Sequence, residues 1–235
     1  MHDEMLHDPM MHDEHGAIRP RLFLDSADRA AWDEWLPTGI FHGITTNPTI
    51  LANAGIANTL SELSRLSHDA FEAGVSEFQA QTWGRSSEKL IANGRVLAAL
   101  DPRMVVKVPI TREGAIAAAT LKAEGIRITM TAVYTAHQAL SAAAIGADYV
   151  APYLGRMNDA GRDGFGEIAA MQEMIRASGS PTRVLVASLR AADDLVRLGR
   201  LGLDTFTFSP KVAASLFAEE PTEAAAEAFE KAAEG

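Results

Sequence analysis

The chain has 235 residues, of which 47% are hydrophobic and 22% charged, with a formal net charge of -10 and no cysteine. That length fits one large α/β domain as easily as two small ones and is enough for a full core, and the acidity argues against nucleic acid or an anionic membrane as partner. Disulfides, thiolate metal sites and cysteine nucleophiles are excluded outright. No apolar run reaches membrane-spanning length, and no basic stretch followed by an apolar one opens the chain. The default expectation is therefore a soluble cytoplasmic protein.

Residues 1–20 stand apart in composition. Met-His-Asp-Glu occurs at 1–4 and again at 11–14, with His7 and His15 nearby and no periodic apolar face. Histidines among carboxylates can bind a divalent metal. Nothing here fixes ligand geometry, so the segment reads as a flexible polar tail outside the core.

From residue 21 short apolar runs alternate with helical stretches. Arg21-Leu22-Phe23-Leu24-Asp25 is the first strand, followed by a helix through Trp32 and Trp35. Gly43-Ile44-Thr45-Thr46-Asn47-Pro48 closes a second strand, and Pro48 is placed to open a helix. The spacing predicts helices over 59–73 and 86–100 around a strand at Glu77–Thr82, and then the strand Met104–Ile110. Helix 113–124 ends at Gly125, a suitable left-handed cap, before the strand Ile126–Val133. Helix 136–145, strand Tyr149–Tyr153, helix 166–178, strand Arg183–Ser188, helix 191–201 and strand Thr205–Ser209 complete the series. A closing helix around Val212–Phe217 and an alanine-rich one after Pro221 follow.

Eight strand–helix units joined by short Gly/Pro links mean a parallel sheet. In just over two hundred residues they point to a closed (β/α)8 TIM barrel spanning 21–220, with a helical arm at 221–235. An open doubly wound sheet would carry a glycine-rich phosphate loop after its first strand, and Asp25-Ser26-Ala27-Asp28 is not one.

Barrel chemistry sits at the C-terminal strand ends. Those ends carry Asp25, Thr45 with Asn47, Gln81, Lys107, Thr131, Tyr153 and Ser188, so seven of eight strands contribute a polar residue. A single such residue is ordinarily a helix cap, as expected of Ser26 and Thr135. Seven converging on one face are hard to assign to capping. Lys107 lies inside Met104-Val105-Val106-Lys107-Val108-Pro109-Ile110, a run typical of a strand buried on both faces. Burying an ammonium is costly, so such a lysine is salt-bridged, snorkels at a strand end, or is partly neutral and able to form a Schiff base. Arg156 and Arg190 follow strands six and seven, where barrels often place anion sites, although either alone reads as a surface charge.

Leu24-Asp25, Gly43-Ile44-Thr45-Thr46-Asn47-Pro48, Val105-Val106-Lys107-Val108-Pro109, Gly146-Ala147-Asp148-Tyr149-Val150-Ala151-Pro152-Tyr153 with Gly155-Arg156, Asp163-Gly164 and Ala187-Ser188-Leu189-Arg190 together resemble the transaldolase family. The closest likeness is its short branch, which includes the fructose-6-phosphate aldolases, and it runs from about Leu22 to Phe217. The resemblance implies a class I mechanism in which Lys107 forms the Schiff base and Asp25 assists proton transfer. It implies that Gln81 and Thr131 hold a catalytic water, that Thr45 and Asn47 contact the donor hydroxyls, and that Ser188, Arg156 and Arg190 grip an anionic tail. No metal or organic cofactor is implied, because the protonated imine is the electron sink. Gln81 and Tyr153 match the aldolase branch, where transaldolases proper usually carry glutamate and phenylalanine. Arg190 leans towards the transaldolase side, and Trp83 and Met130 are expected to place bulk near the mouth. The resemblance also implies rings of five, commonly paired into decamers, with the C-terminal helix on a neighbouring subunit.

Three readings follow. The first is a lyase making and breaking the C3–C4 bond of a ketose, with dihydroxyacetone as donor. The second is a transaldolase moving that unit between sugar phosphates, and the third is a non-catalytic barrel that binds a sugar phosphate.

Overall fold

A computed structural model describes residues 19–234. The tail expected over 1–20 therefore lies, apart from its last two residues, outside the described residues. Eight strands, β1 (Arg21–Asp25), β2 (Phe41–Thr45), β3 (Glu77–Gln81), β4 (Met104–Pro109), β5 (Ile128–Val133), β6 (Tyr149–Pro152), β7 (Arg183–Val186) and β8 (Thr205–Phe208), pair in parallel. They close in sequence order, β8 returning to β1, into a (β/α)8 barrel.

The helices are α1 (Arg29–Trp35), α2 (Pro48–Asn53), α3 (Leu60–Glu72), α4 (Ser87–Ala98), α5 (Arg112–Ala123) and α6 (Ala136–Ile145), then α7 (Leu154–Asp159), α8 (Gly164–Ser178), α9 (Ala192–Gly199), α10 (Pro210–Ser215) and α11 (Glu220–Ala233). In α3 the spacing Leu63, Leu66, Ala70 buries one stripe, and Thr59 caps it by accepting from the Glu62 amide. Each buried leucine contributes about 1.5–3 kcal/mol. Two differences from the sequence expectation concern caps and connections. Asp28, not Ser26, caps α1, while Ser26 Oγ accepts from the Asp28 amide. Between β6 and α8 lies the short helix α7, which carries Arg156 and had no periodic signal of its own.

Strand residues alternate between two cores. One set, including Leu24, Ile44, Phe78, Val106, Val108 and Met130, packs against the helices. The other, Phe23, Val105, Tyr149, Ala151 and Leu185, fills the barrel interior. Lys107 shares its strand face with Val105 and so points inward. Gly43 faces the same interior, and a Cβ there would lie 2.3 Å from the Glu77 carbonyl oxygen and 2.9 Å from Phe23, so only glycine fits. Met130 is fully buried in the helix-side core, which corrects the expectation that it stands near the mouth. Trp83 likewise packs against that core. After Thr131, Ala132 takes a left-handed φ of 61° and the β5–β6 register shifts. This bulge keeps Thr131 inward while returning Val133 to the helix side.

The N-terminal end of the barrel is closed by charge. Glu77 is 1% exposed; it pairs with Arg127, accepts from the Tyr149 hydroxyl at 3.1 Å and from Gln79 Nε2 at 2.8 Å, and lies 3.8 Å from His42 Nε2. Burial alone would raise its pKa, but His42, Arg127 and Gln79 outweigh it and hold the carboxyl at about 2. This plug leaves the opposite end for chemistry.

Candidate active site

At the C-terminal strand ends a cavity of about 190 Å³ is lined by Asp25, Asn47, Lys107, Tyr153, Arg156 and Ser188, among others. Six of the residues singled out in the sequence thus meet in one place. Lys107, on β4, is 3% exposed and is registered against Gln81 on β3 and Thr129 on β5. Among the described residues its ammonium has no hydrogen bond or ion pair within 4.0 Å. It is available to a ligand.

Asp25 ends β1, where its register partner is Thr45. Burial raises its pKa, and the charge of Lys107, the hydrogen bond from Thr45 and the charge of Arg156 pull the other way without cancelling the rise. A carboxylate whose pKa is raised is a stronger base than an exposed one. Thr45 Oγ1 donates to Asp25 Oδ1 at 2.6 Å and lies 2.5 Å from Thr207 Oγ1. Thr45 is fully buried behind the carboxylate, and its hydroxyl is committed there.

Asn47 is the cap of α2, its Oδ1 accepting from the amides of Thr49 at 2.9 Å and Ile50 at 3.0 Å. The carbonyl end is therefore spent on the helix, and the cavity is offered the NH2 donors. Pro48 at the first helical position fixes the turn that aims it.

Tyr153 follows β6, and its hydroxyl lies 2.7 Å from Thr131 Oγ1. Its ring meets Tyr134 edge-on at 5.7 Å, and the Arg156 guanidinium carbon lies 4.8 Å from its centroid. Arg156 is held over the cavity by that ring. Ser188 follows β7 with φ of 60°, a strained conformation for a non-glycine residue, next to the backbone bonds Leu154 N–Ala187 O and Gly155 N–Ser188 O. A Cβ on Gly155 would sit 2.4 Å from the Ser188 carbonyl oxygen, so glycine lets these two loops join.

Three expected site residues are placed less directly. Thr131 is 1% exposed and reaches the site through Tyr153. Gln81 faces the same interior beside Lys107 without lining the cavity. Arg190 is an exposed side chain donating to Asp159 at 2.6 Å, outside the cavity lining. Thr207 was not foreseen as part of the site. The alternation Thr205-Phe206-Thr207-Phe208, with both threonines on one face of the last strand, was the available signal.

Fold and site together define a closed (β/α)8 barrel with an interior lysine, a carboxylate and a tyrosine gathered at the C-terminal ends of its strands. Residues 22–234 match the transaldolase/fructose-6-phosphate aldolase family. A probable transaldolase of Phenylobacterium zucineum is 36% identical over 211 residues, covering 89% of this chain and 94% of that protein. Probable transaldolases of Thermus thermophilus (37% identical; 79% and 85% covered) and Desulfitobacterium hafniense (36%; 88% and 95%) are comparably similar. The chain belongs to the transaldolase/fructose-6-phosphate aldolase family.

Proposed function

We propose that the chain is a class I, Schiff-base aldolase of the fructose-6-phosphate aldolase type. It reversibly cleaves the C3–C4 bond of a ketose or ketose phosphate to a dihydroxyacetone-type donor and an aldehyde such as glyceraldehyde 3-phosphate. One observation carries the reading: Tyr153, whose hydroxyl lies 2.7 Å from the buried Thr131 Oγ1, lines the same cavity as Lys107 and Asp25.

The amine of Lys107 adds to C2, and the former carbonyl oxygen leaves as water, giving a protonated imine. Asp25 takes the proton of the C4 hydroxyl. The C3–C4 electron pair becomes the C2–C3 double bond of an enamine, the imine nitrogen takes up the π pair, and the aldehyde departs. Tyr153 relays a proton to C3 through a water held with Gln81 and Thr131. Water then adds to C2, and dihydroxyacetone leaves with Lys107 restored. Asn47 donates to the donor hydroxyls, while Arg156 and Ser188 hold the anionic tail, with Arg190 at the rim. No metal or organic cofactor enters these steps.

The similarity to probable transaldolases favours a second reading, a transaldolase in which the enamine carbon attacks an acceptor aldehyde before protonation. Either enzyme would work as a homo-oligomer of five or ten subunits, and the fully exposed α11 supports that assembly. Both readings require the same covalent adduct. Incubation with dihydroxyacetone and borohydride followed by peptide mass mapping should label Lys107 alone. A label on the exposed Lys211, or none, would overturn the assignment and return the chain to a binding role.

A further inference from the structure

The proposed mechanism asks Asp25 to accept a proton, and the hydroxyl chain behind it determines where that proton can go. An ionised carboxylate has no hydrogen to give, so the proton in the 2.6 Å contact between Thr45 and Asp25 Oδ1 belongs to Thr45. Thr45 has only one. The 2.5 Å contact behind it is therefore a donation from Thr207 to Thr45. The chain runs in one direction, from β8 through β2 to β1. Both threonines are buried, at 0% and 1% exposure, and the Thr207 hydroxyl has no other partner among the described residues.

We infer that Thr207 is a positioning residue for Asp25, acting through Thr45 to hold Oδ1 as an acceptor and leave Oδ2 as the atom that takes the substrate proton. Protonating Oδ1 would force Thr45 to donate back towards Thr207, whose own hydrogen would then lack a partner in a buried site. That arrangement is costly. Protonating Oδ2 leaves the chain undisturbed, and Oδ2 has no hydrogen bond from the protein among the described residues. The other groups that act on Asp25 are Lys107 from β4 and Arg156 from α7, and both remain when the Thr207 hydroxyl is removed. Its loss should therefore move Asp25 modestly rather than abolish its function.

This inference rests on the aldolase reading for its catalytic consequence but not for its physical content. In protein carrying 13C-labelled aspartate, the Asp25 carboxyl is titrated by NMR, its signal assigned with Asp25→Asn, and kcat and KM for aldol cleavage are recorded against pH. Thr207→Val keeps the shape and removes the hydroxyl. It should raise the Asp25 midpoint by about half a pH unit, move the acid limb of kcat with it and lower kcat about threefold with KM unchanged. Thr207→Ser should restore both. A midpoint in Thr207→Val equal to that of the unaltered protein, or a serine variant that behaves like valine, overturns the inference. Thr207→Ala gives the same comparison should valine not pack. An unaltered chain without aldol cleavage counts against the aldolase reading, while the carboxyl titration still decides the role of Thr207.

Discussion

The Tyr153 hydroxyl is fixed by Thr131 on one side, and its ring by Arg156 and Tyr134 on the others, so the side chain is held in one orientation over the cavity. Under the aldolase reading that hydroxyl serves cleavage, in which the enamine carbon must be protonated. Transfer to an acceptor needs no such proton. Tyr153→Phe should therefore cut free aldol cleavage about a hundred-fold while lowering transfer far less. Measuring both rates on one preparation checks this, and an unchanged ratio would mean that the hydroxyl only lines the pocket. Lys107 and Asp25 were legible in the sequence because a charge inside or at the end of an apolar strand is chemically anomalous. Thr45 and Asn47 could be singled out as polar residues at a strand end, but how each side chain is engaged was not legible. The commitment of Asn47 Oδ1 to a helix cap and of the Thr45 hydroxyl to Asp25 appears only once α2 and β1 are placed beside them. Thr207 escaped notice because alternating threonine and phenylalanine reads as ordinary strand packing.

At the level of elements, the eight strands and the main helices were readable from periodicity and Gly/Pro punctuation. The bulge at Ala132 and the short α7 were not. A single left-handed residue leaves no mark on hydrophobic period, and a six-residue helix is too short to establish one. Met130 was misplaced for a related reason, since inward and outward faces cannot be told apart until the register is known. The arm α11 was expected, and its first turn includes Pro221. Thr222, Ala225, Ala226, Phe229, Ala232 and Ala233 recur at helical spacing on one face, and Phe229 is 72% exposed. By contrast Phe217, just before the arm, stacks on Trp35 at 6.1 Å. If α11 covers a neighbouring subunit, light scattering at micromolar concentration should show a multiple of five that Phe229→Asp dissociates. A monomeric unaltered protein would remove the ring.

Across the whole barrel, the two ends respond to pH with opposite sign. Glu77 is depressed from 4.5 to about 2 on folding, so its stabilisation is fully present above pH 4.5 and is lost as pH falls towards 2. The amount is on the order of 3 kcal/mol. Asp25 is raised, so the folded state holds its proton more tightly than the unfolded chain, and acidification relieves the cost of its burial. Urea unfolding of Glu77→Gln at pH 7, 5 and 3 should show lower stability at pH 7, by about 3 kcal/mol or more with Arg127 left without its partner, and a shallower acid loss. Equal slopes for the two proteins would mean that the plug carries no pH dependence. The ring of strands itself has a further consequence. The Thr45–Thr207 contact joins residues 162 apart, and Asp25 and Thr207 stand on either side of the β1–β8 seam, the join between the first and last strands. Local strand–helix units need only short loops to close, whereas this seam carries the longest loop-closure entropy in the barrel and is expected to join late. A chain without its eighth strand would still carry every residue that lines the cavity, Lys107 and Asp25 included, and would lack only the Thr207 hydroxyl that stands behind Thr45 and Asp25.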